Sequence, residues 1–178
     1  MDVLRIAGIV SNSVVDGPGL RFVIFVQGCT HNCKGCHNLQ THSFSGGKEV
    51  NMRYLMKQIL ADKIISGVTF SGGEPFLQAE SLSKLALKLR DRNVHILAYS
   101  GFTFEQLLKW GETNQHVFNL LNNVNVLIDG KFVEEQKTFS IPFAGSANQR
   151  ILDVPLSLAV GKAVEAEEFL RSKRRFIV

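Results

Sequence analysis

The chain has 178 residues, 45% of them hydrophobic and 20% charged, and its 20 Lys and Arg against 16 Asp and Glu leave a net charge of +4. That length suits one domain, spanning 1–178, with a sizeable core, and so mild a charge does not mark a nucleic-acid binder. No apolar run approaches a membrane span, "FVIFV" (22–26) being far too short, and "MDVLRIAGIV" carries an acid without a cleavage-type ending, so neither a membrane protein nor a signal peptide is expected and the expected location is the cytoplasm.

In chain order, "LRIAGIV" (4–10) reads as a short edge strand and "VVDGPG" (14–19) as a turn. "RFVIFVQG" (21–28), rich in β-branched and aromatic residues, is a buried strand that runs into "GCTHNCKGCHN" (28–38). A helix over 51–61 places Met52, Leu55, Met56, Ile59 and Leu60 on one face. "GVTFSGG" (67–73) is the next strand, and Leu82, Leu85, Ala86 and Leu89 give the segment 81–90 helical spacing. "VHILAYS" (94–100) is a strand. Thr103 with Gln106 resembles a capping box that opens a short helix. Val117, Leu120 and Leu121 suggest another helical segment, "VNVLIDG" (124–130) and "RILDV" (150–154) read as strands, and a last helix fits 162–172 before "RFIV" closes the chain. The basic run "RSKRR" (171–175) has a bland reading as a solvated helix end. It lacks interleaved aromatics, so docking of an acidic protein is at least as natural as nucleic-acid contact.

Strand–helix alternation implies an α/β fold of mostly parallel strands with right-handed crossovers. A full (β/α) barrel of the TIM type needs about 250 residues, so an incomplete barrel is expected. Ligands collect at the carboxyl ends of such strands. The cysteine loop, "SGGEP", "YSGF" and "IDGKF" each follow a strand directly and are expected on one rim.

All three cysteines of the chain, Cys29, Cys33 and Cys36, fall in that loop. An odd count in so tight a cluster argues against disulfides and for metal or redox chemistry. Thiolates suit zinc or iron–sulfur clusters. Structural zinc usually takes four ligands from two separated pairs, and no second pair exists. His31 or His37 would have to complete a Cys3His site from inside the same short loop. A [4Fe–4S] cube usually takes four thiolates, so three would leave one iron open to a non-protein ligand.

The spacing Cys-x3-Cys-x2-Cys at the end of a first strand is the signature of radical S-adenosylmethionine (SAM) enzymes, which this chain resembles. "DGPGLRFVIFVQGC" and "CHN" resemble the activating enzymes of glycyl radical enzymes. "VLIDGKF" (126–132) and "GSANQRILDV" (145–154) look like the late segments of the activating proteins of anaerobic ribonucleotide reductase. The resemblance runs from about residue 4 to 154. It implies a radical SAM fold, with Cys29, Cys33 and Cys36 as cluster ligands and the amino and carboxylate groups of SAM on the open iron. "SGGEP" resembles the Gly-Gly-Glu motif that binds the SAM amino group, so Gly72, Gly73 and Glu74 are expected at the ligand, against a plain reading as a post-strand turn. Backbone at Gly35, Cys36 and His37 is expected near the adenine, with His37 otherwise ordinary polar packing and Asn38 hydrogen-bonded within the loop. Ser100 is expected at the SAM carboxylate or ribose, or as a helix-approach cap. Asp129 and Lys131 are either site residues, with Lys131 at the SAM carboxylate, or a turn ion pair. Asp16 reads as a turn residue, and Asn148, Gln149 and Arg150 as a solvated loop unless they meet SAM or a partner.

The chemistry so implied is one-electron reduction of SAM at the cluster. The C5′–S bond breaks to give methionine and a 5′-deoxyadenosyl radical, which takes a hydrogen atom from a glycine Cα. The implied partners are the large subunit of anaerobic ribonucleotide reductase and a flavodoxin- or ferredoxin-type electron donor. An incomplete barrel would leave a lateral mouth for a peptide loop. Several features depart from relatives. Gly35 stands where many radical SAM enzymes carry an aromatic, there are no cysteines for further clusters, and "AYSGF" shows no acidic cation ligand. Alternatives are a pyruvate formate-lyase-type activase, a 7-carboxy-7-deazaguanine synthase and a zinc module. The second of these is expected to carry tryptophan in its cysteine loop, whereas the single tryptophan here is Trp110.

Overall fold

The structure, a computed structural model, describes residues 3–167. Its strands are β1 (Val3–Ser13), β2 (Arg21–Val26), β3 (Lys48–Asn51), β4 (Gly67–Gly72), β5 (Ile96–Ser100), β6 (Val126–Asp129) and β7 (Arg150–Asp153). The helices are α1 (Met52–Ala61), α2 (Ala79–Arg90), α3 (Phe104–Gly111), α4 (Gln115–Asn123) and α5 (Val154–Val160). The strands form one mixed sheet in the order β3-β1-β2-β4-β5-β6-β7. The central run β2-β4-β5-β6 is parallel, while β1, β3 and β7 are antiparallel to their neighbours. Among the described residues β3 and β7 end the sheet and do not pair with each other, and residues 164–166 run along the outer side of β7.

Strand periodicity divides the side chains between two faces. Ile24, Phe70, Ala98, Leu127 and Leu152 point to the helices and share a core with Leu55, Leu85, Leu107 and Leu120. Their neighbours in sequence, Leu97, Val126, Ile128 and Ile151, face the other way and pack with Tyr99, Ile141 and Phe143. Each fully buried Leu, Ile or Phe contributes roughly 1.5–3 kcal/mol. The helices are fixed at their starts by local chemistry. Asn51 accepts from the Arg53 N–H to cap α1, and Thr103 with Gln106 forms the expected capping box of α3.

Two expectations need correction. Strand β1 is longer than 4–10 and is not an edge, because Lys48–Asn51 adds outside it through the pairs Val3–Asn51 to Ile6–Lys48. The last helix is not formed over 162–166. There the chain returns along β7, with Asp153 N–H donating to Val164 O at 2.9 Å and Ala166 N–H to Ile151 O at 2.9 Å. Pairing with β7 outcompetes the weak local preference for helix. Glu167 is helical, and residues 168–178, with "RSKRR" and "RFIV", lie outside the described residues.

At the amino ends of the parallel strands, Arg21 is 1% exposed. Its Nε donates to Thr69 Oγ1 at 3.0 Å, Nη1 meets His95 Nδ1 at 3.1 Å, and Nη2 donates to the Val68 and His95 carbonyls. Burial lowers the Arg21 guanidinium to about 10. Burial, with the charges of Arg21 and Arg90, lowers His95 to about 4. A neutral imidazole therefore accepts from a charged guanidinium, and the floor of the sheet is closed by a cation held without a carboxylate partner in its hydrogen-bond set.

Candidate functional site

The four carboxyl ends of β2, β4, β5 and β6 open onto one cavity of about 720 Å³, within the roughly 300–1,000 Å³ typical of small-molecule sites. Cys29, Cys33 and Cys36 line it together with His31, His37 and Asn38. Ser71, Gly72 and Gly73 at the end of β4, Ser100 and Gly101 at the end of β5, and Gly130 after β6 complete the rim. Phe25 and Tyr99 lie beneath, and Phe132, Phe139 and Phe143 supply the wall from the segment after β6.

The cysteine loop is shaped by its own main chain. Gly28 N–H donates to Thr41 O at 2.7 Å and Cys29 N–H to His42 O at 3.1 Å, which closes the loop at its base. Gln27 Nε2 donates to Gln40 O and Ser43 O. Asn38 N–H reaches Cys36 Sγ at 3.4 Å, a donor of the kind that tunes an iron-bound thiolate. The three thiols are free and half-buried. Burial pushes the Cys29 thiol up. The N–H groups of His31 and Asn32 pull it down, while negative charge on Glu74 and Cys33 raises it further. A ligating thiolate needs compensating positive charge, which an iron cluster supplies. All three thiols line the cavity, and thiolates are the ligands that iron–sulfur clusters take.

Glu74 is 1% exposed and is not among the residues lining the cavity. Its Oε1 accepts from Phe76 N–H at 3.0 Å and Ser100 Oγ at 3.0 Å, and its Oε2 accepts from Gly101 N–H at 2.8 Å and meets His31 Nε2 at 2.8 Å. Gly72 and Gly73 line the cavity, but the neighbouring strand already demands glycine there: a Cβ at Gly73 would lie 2.3 Å from Gly28 O, and Gly72 holds φ +95° against Val26. Gly73 N–H donates to Val26 O and Glu74 N–H to Gly28 O, which welds the turn to the start of the cysteine loop.

Other expected residues divide between the cavity and the shell behind it. His37 lines the cavity and packs on Phe132 with ring centroids 5.0 Å apart. Gly35 (φ +71°) does not line it; a Cβ there would lie 2.8 Å from Glu134 Oε1. Asp129 is buried and accepts from Phe104 N–H at 2.7 Å and Arg150 Nε at 3.0 Å, so its partner is Arg150, not Lys131. Lys131 is exposed and outside the lining. Arg150 also donates to Glu105 at 2.8 Å, which lowers the Glu105 carboxyl to about 2. Gln149 lines the cavity and shapes it: its Oε1 accepts from Gly145 N–H and its Nε2 donates to Gly130 O. Asp16 also reaches the lining, where it accepts from Ser13 Oγ. The residue that sequence reasoning underrated is His31, considered there only as a metal ligand. Its one visible signal was a position midway between two cysteines.

Fold and site together define an α/β iron–sulfur protein with its cysteine loop on the carboxyl rim of a parallel sheet. Residues 15–152 match the family described as 4Fe-4S single cluster domain. The chain is 38% identical to the anaerobic ribonucleoside-triphosphate reductase-activating protein of Vibrio cholerae, over 78% of this chain and 90% of that one. It is 34% identical to the protein of that name from Haemophilus influenzae over the same shares, and 40% identical to the pyruvate formate-lyase-activating enzyme of Clostridium pasteurianum over 59% of this chain and 48% of that one. The chain belongs to the family of anaerobic ribonucleoside-triphosphate reductase-activating proteins, enzymes of the radical SAM class. No helix among the described residues is long and apolar enough to cross a membrane.

Proposed function

We propose that this chain activates an anaerobic ribonucleotide reductase by placing a radical on a glycine of its large subunit. The observation that carries this reading is the convergence of all three cysteines with the ends of β4, β5 and β6 on one cavity of ligand size. Cys29, Cys33 and Cys36 would hold a [4Fe–4S] cluster, with SAM bound beside it in the same cavity. When bound, the two supply one-electron cleavage of a sulfonium and the hydrogen-atom abstraction that follows. The protein orients them. Gly72, Gly73, Ser100 and His37 face the ligand, the buried Glu74 and Asp129 support the rim from behind, and the exposed Gly35 and Lys131 flank the cavity outside its lining. The sheet is an incomplete barrel within a single domain, 1–178, and the gap between β3 and β7 leaves a side entrance for a peptide loop. A small cytoplasmic electron donor of the flavodoxin or ferredoxin type reduces the cluster.

The test is anaerobic. Iron and sulfide are reconstituted, SAM and reductant are added with candidate reductases, and electron paramagnetic resonance (EPR) is read for a glycyl radical. SAM cleavage without a radical on any reductase overturns the assignment. The similarity to the Clostridium pasteurianum enzyme makes pyruvate formate-lyase the second partner to include.

A further inference from the structure

We infer that His31 is a positioning residue: through Glu74 it clamps the span between Cys29 and Cys33 to the carboxyl ends of β4 and β5, and so sets where the cysteine loop holds the cluster against the rim that receives SAM. This rests on the SAM and cluster reading above and goes beyond it, since it concerns neither a cluster ligand nor a SAM contact.

The imidazole is a donor here. Every other group on the Glu74 carboxylate is an N–H or O–H, from Phe76, Ser100 and Gly101. The carboxylate acts as acceptor throughout, so at 2.8 Å the proton sits on His31 Nε2. With two oxygens serving four donors, about every lone-pair site is taken. Glu74 is therefore saturated from within the protein, and a ligand ammonium would reach it only by displacing one of these partners. Its chemistry is that of a clasp between three segments: the cysteine loop through His31, the β4 end through Phe76, and the β5 end through Ser100 and Gly101.

Space was cleared for this contact. The His31 side chain is 7% exposed. Its ring stands edge-on to Phe102 at 4.5 Å. A Cβ at Gly101 would fall 2.3 Å from His31 Cδ2 and 2.5 Å from Nε2, so the glycine of "YSGF" is there to admit an imidazole. His37, in the same loop, has only a ring contact with Phe132. Between two cluster ligands, a clamp on one residue fixes the path of both.

The experiment compares His31→Ala, His31→Gln and Gly101→Ala with the unaltered chain. All four are expected to take up iron and sulfide in the same ratio. SAM titrated into the reduced protein changes the EPR spectrum of the cluster. His31→Ala is expected to need roughly tenfold more SAM for that change, with KM for SAM raised alike, as removal of an outer-shell partner typically costs 10–100-fold. His31→Gln, whose amide nitrogen can reach Glu74, recovers most of the loss. Gly101→Ala, which displaces the ring without deleting it, reproduces His31→Ala. Should His31→Ala fail to fold, Gly101→Ala carries the same titration. Melting of the apoprotein adds an independent readout: Gly101→Ala lowers the melting temperature alone but far less in the His31→Ala background. An unchanged SAM titration in His31→Ala, a glutamine no better than alanine, additive melting effects, or a parallel loss of iron in both His31 variants (the mark of a direct ligand) each overturns the inference. No spectral response to SAM in the unaltered protein overturns the cofactor reading beneath it.

Discussion

At the amino ends of β2, β4 and β5 a buried guanidinium is held by a hydroxyl, two carbonyls and an imidazole. At their carboxyl ends a buried carboxylate is held by two N–H groups, a hydroxyl and an imidazole. The two histidines play opposite parts, His95 accepting and His31 donating. The difference lies in what each cluster borders. Arg21 does not line the cavity and ties β2 to β4 and to the start of β5, so its network serves the fold. Glu74 stands directly behind the cysteine loop and the rim, so its network serves the site.

The comparison can be broken most severely at the rim. Replacing any of Cys29, Cys33 or Cys36 by alanine should abolish the cluster, read as loss of bound iron, acid-labile sulfide and all SAM cleavage. These side chains are only half-buried, so the stability of the apoprotein, read by urea unfolding, should change by about 0.5 kcal/mol or less. The reverse pattern is expected at the floor. Arg21→Met leaves the Thr69, Val68 and His95 acceptors unpaired and should cost roughly 2–4 kcal/mol, measured by urea unfolding, while each folded molecule keeps its cluster. Glu74→Gln lies between the two. Its amide turns an NH2 toward donors that need an acceptor, with an expected cost of about 1–3 kcal/mol and weakened SAM binding by titration. The smallest effect is a pH dependence. His95 titrates at about 4 against an ordinary 6.5, so between these values the unfolded chain binds a proton that the folded one refuses. Stability is then full above about pH 6.5 and falls as pH drops toward 4. The ring is partly exposed, so about 1 kcal/mol is expected. It is read as the difference in urea midpoint between the unaltered chain and His95→Asn, which retains an acceptor for Arg21 and should lack the slope.

The parallel strands were legible because burial on both faces writes long apolar runs, and the site was legible because all the thiols fall in one loop. What escaped was set by partners distant in sequence. Strand β3, "KEVN", buries only Val50 and exists because β1 offers it an edge. Helix α5 begins on Asp153, whose side chain accepts from Leu156 N–H, with Pro155 in its first turn and Gly161 ending it at φ 70°. Those local signals were present but lay across the end of a strand. The expected helix over 162–172 fails at 162–166 because β7 claims that segment. At the site, burial of Glu74 and Asp129 could not be read from strand-end motifs. A motif says that a carboxylate is needed, not whether it faces the ligand or the protein.

Phe102, against which His31 rests, is itself packed on Trp110 at 5.4 Å between ring centroids. Trp110 is the one indole in the chain, so all tryptophan emission comes from a ring that only Phe102 separates from His31 of the cysteine loop. Its emission therefore offers a label-free optical signal for cluster assembly, through energy transfer to the broadly absorbing iron–sulfur chromophore, without any dye or added probe.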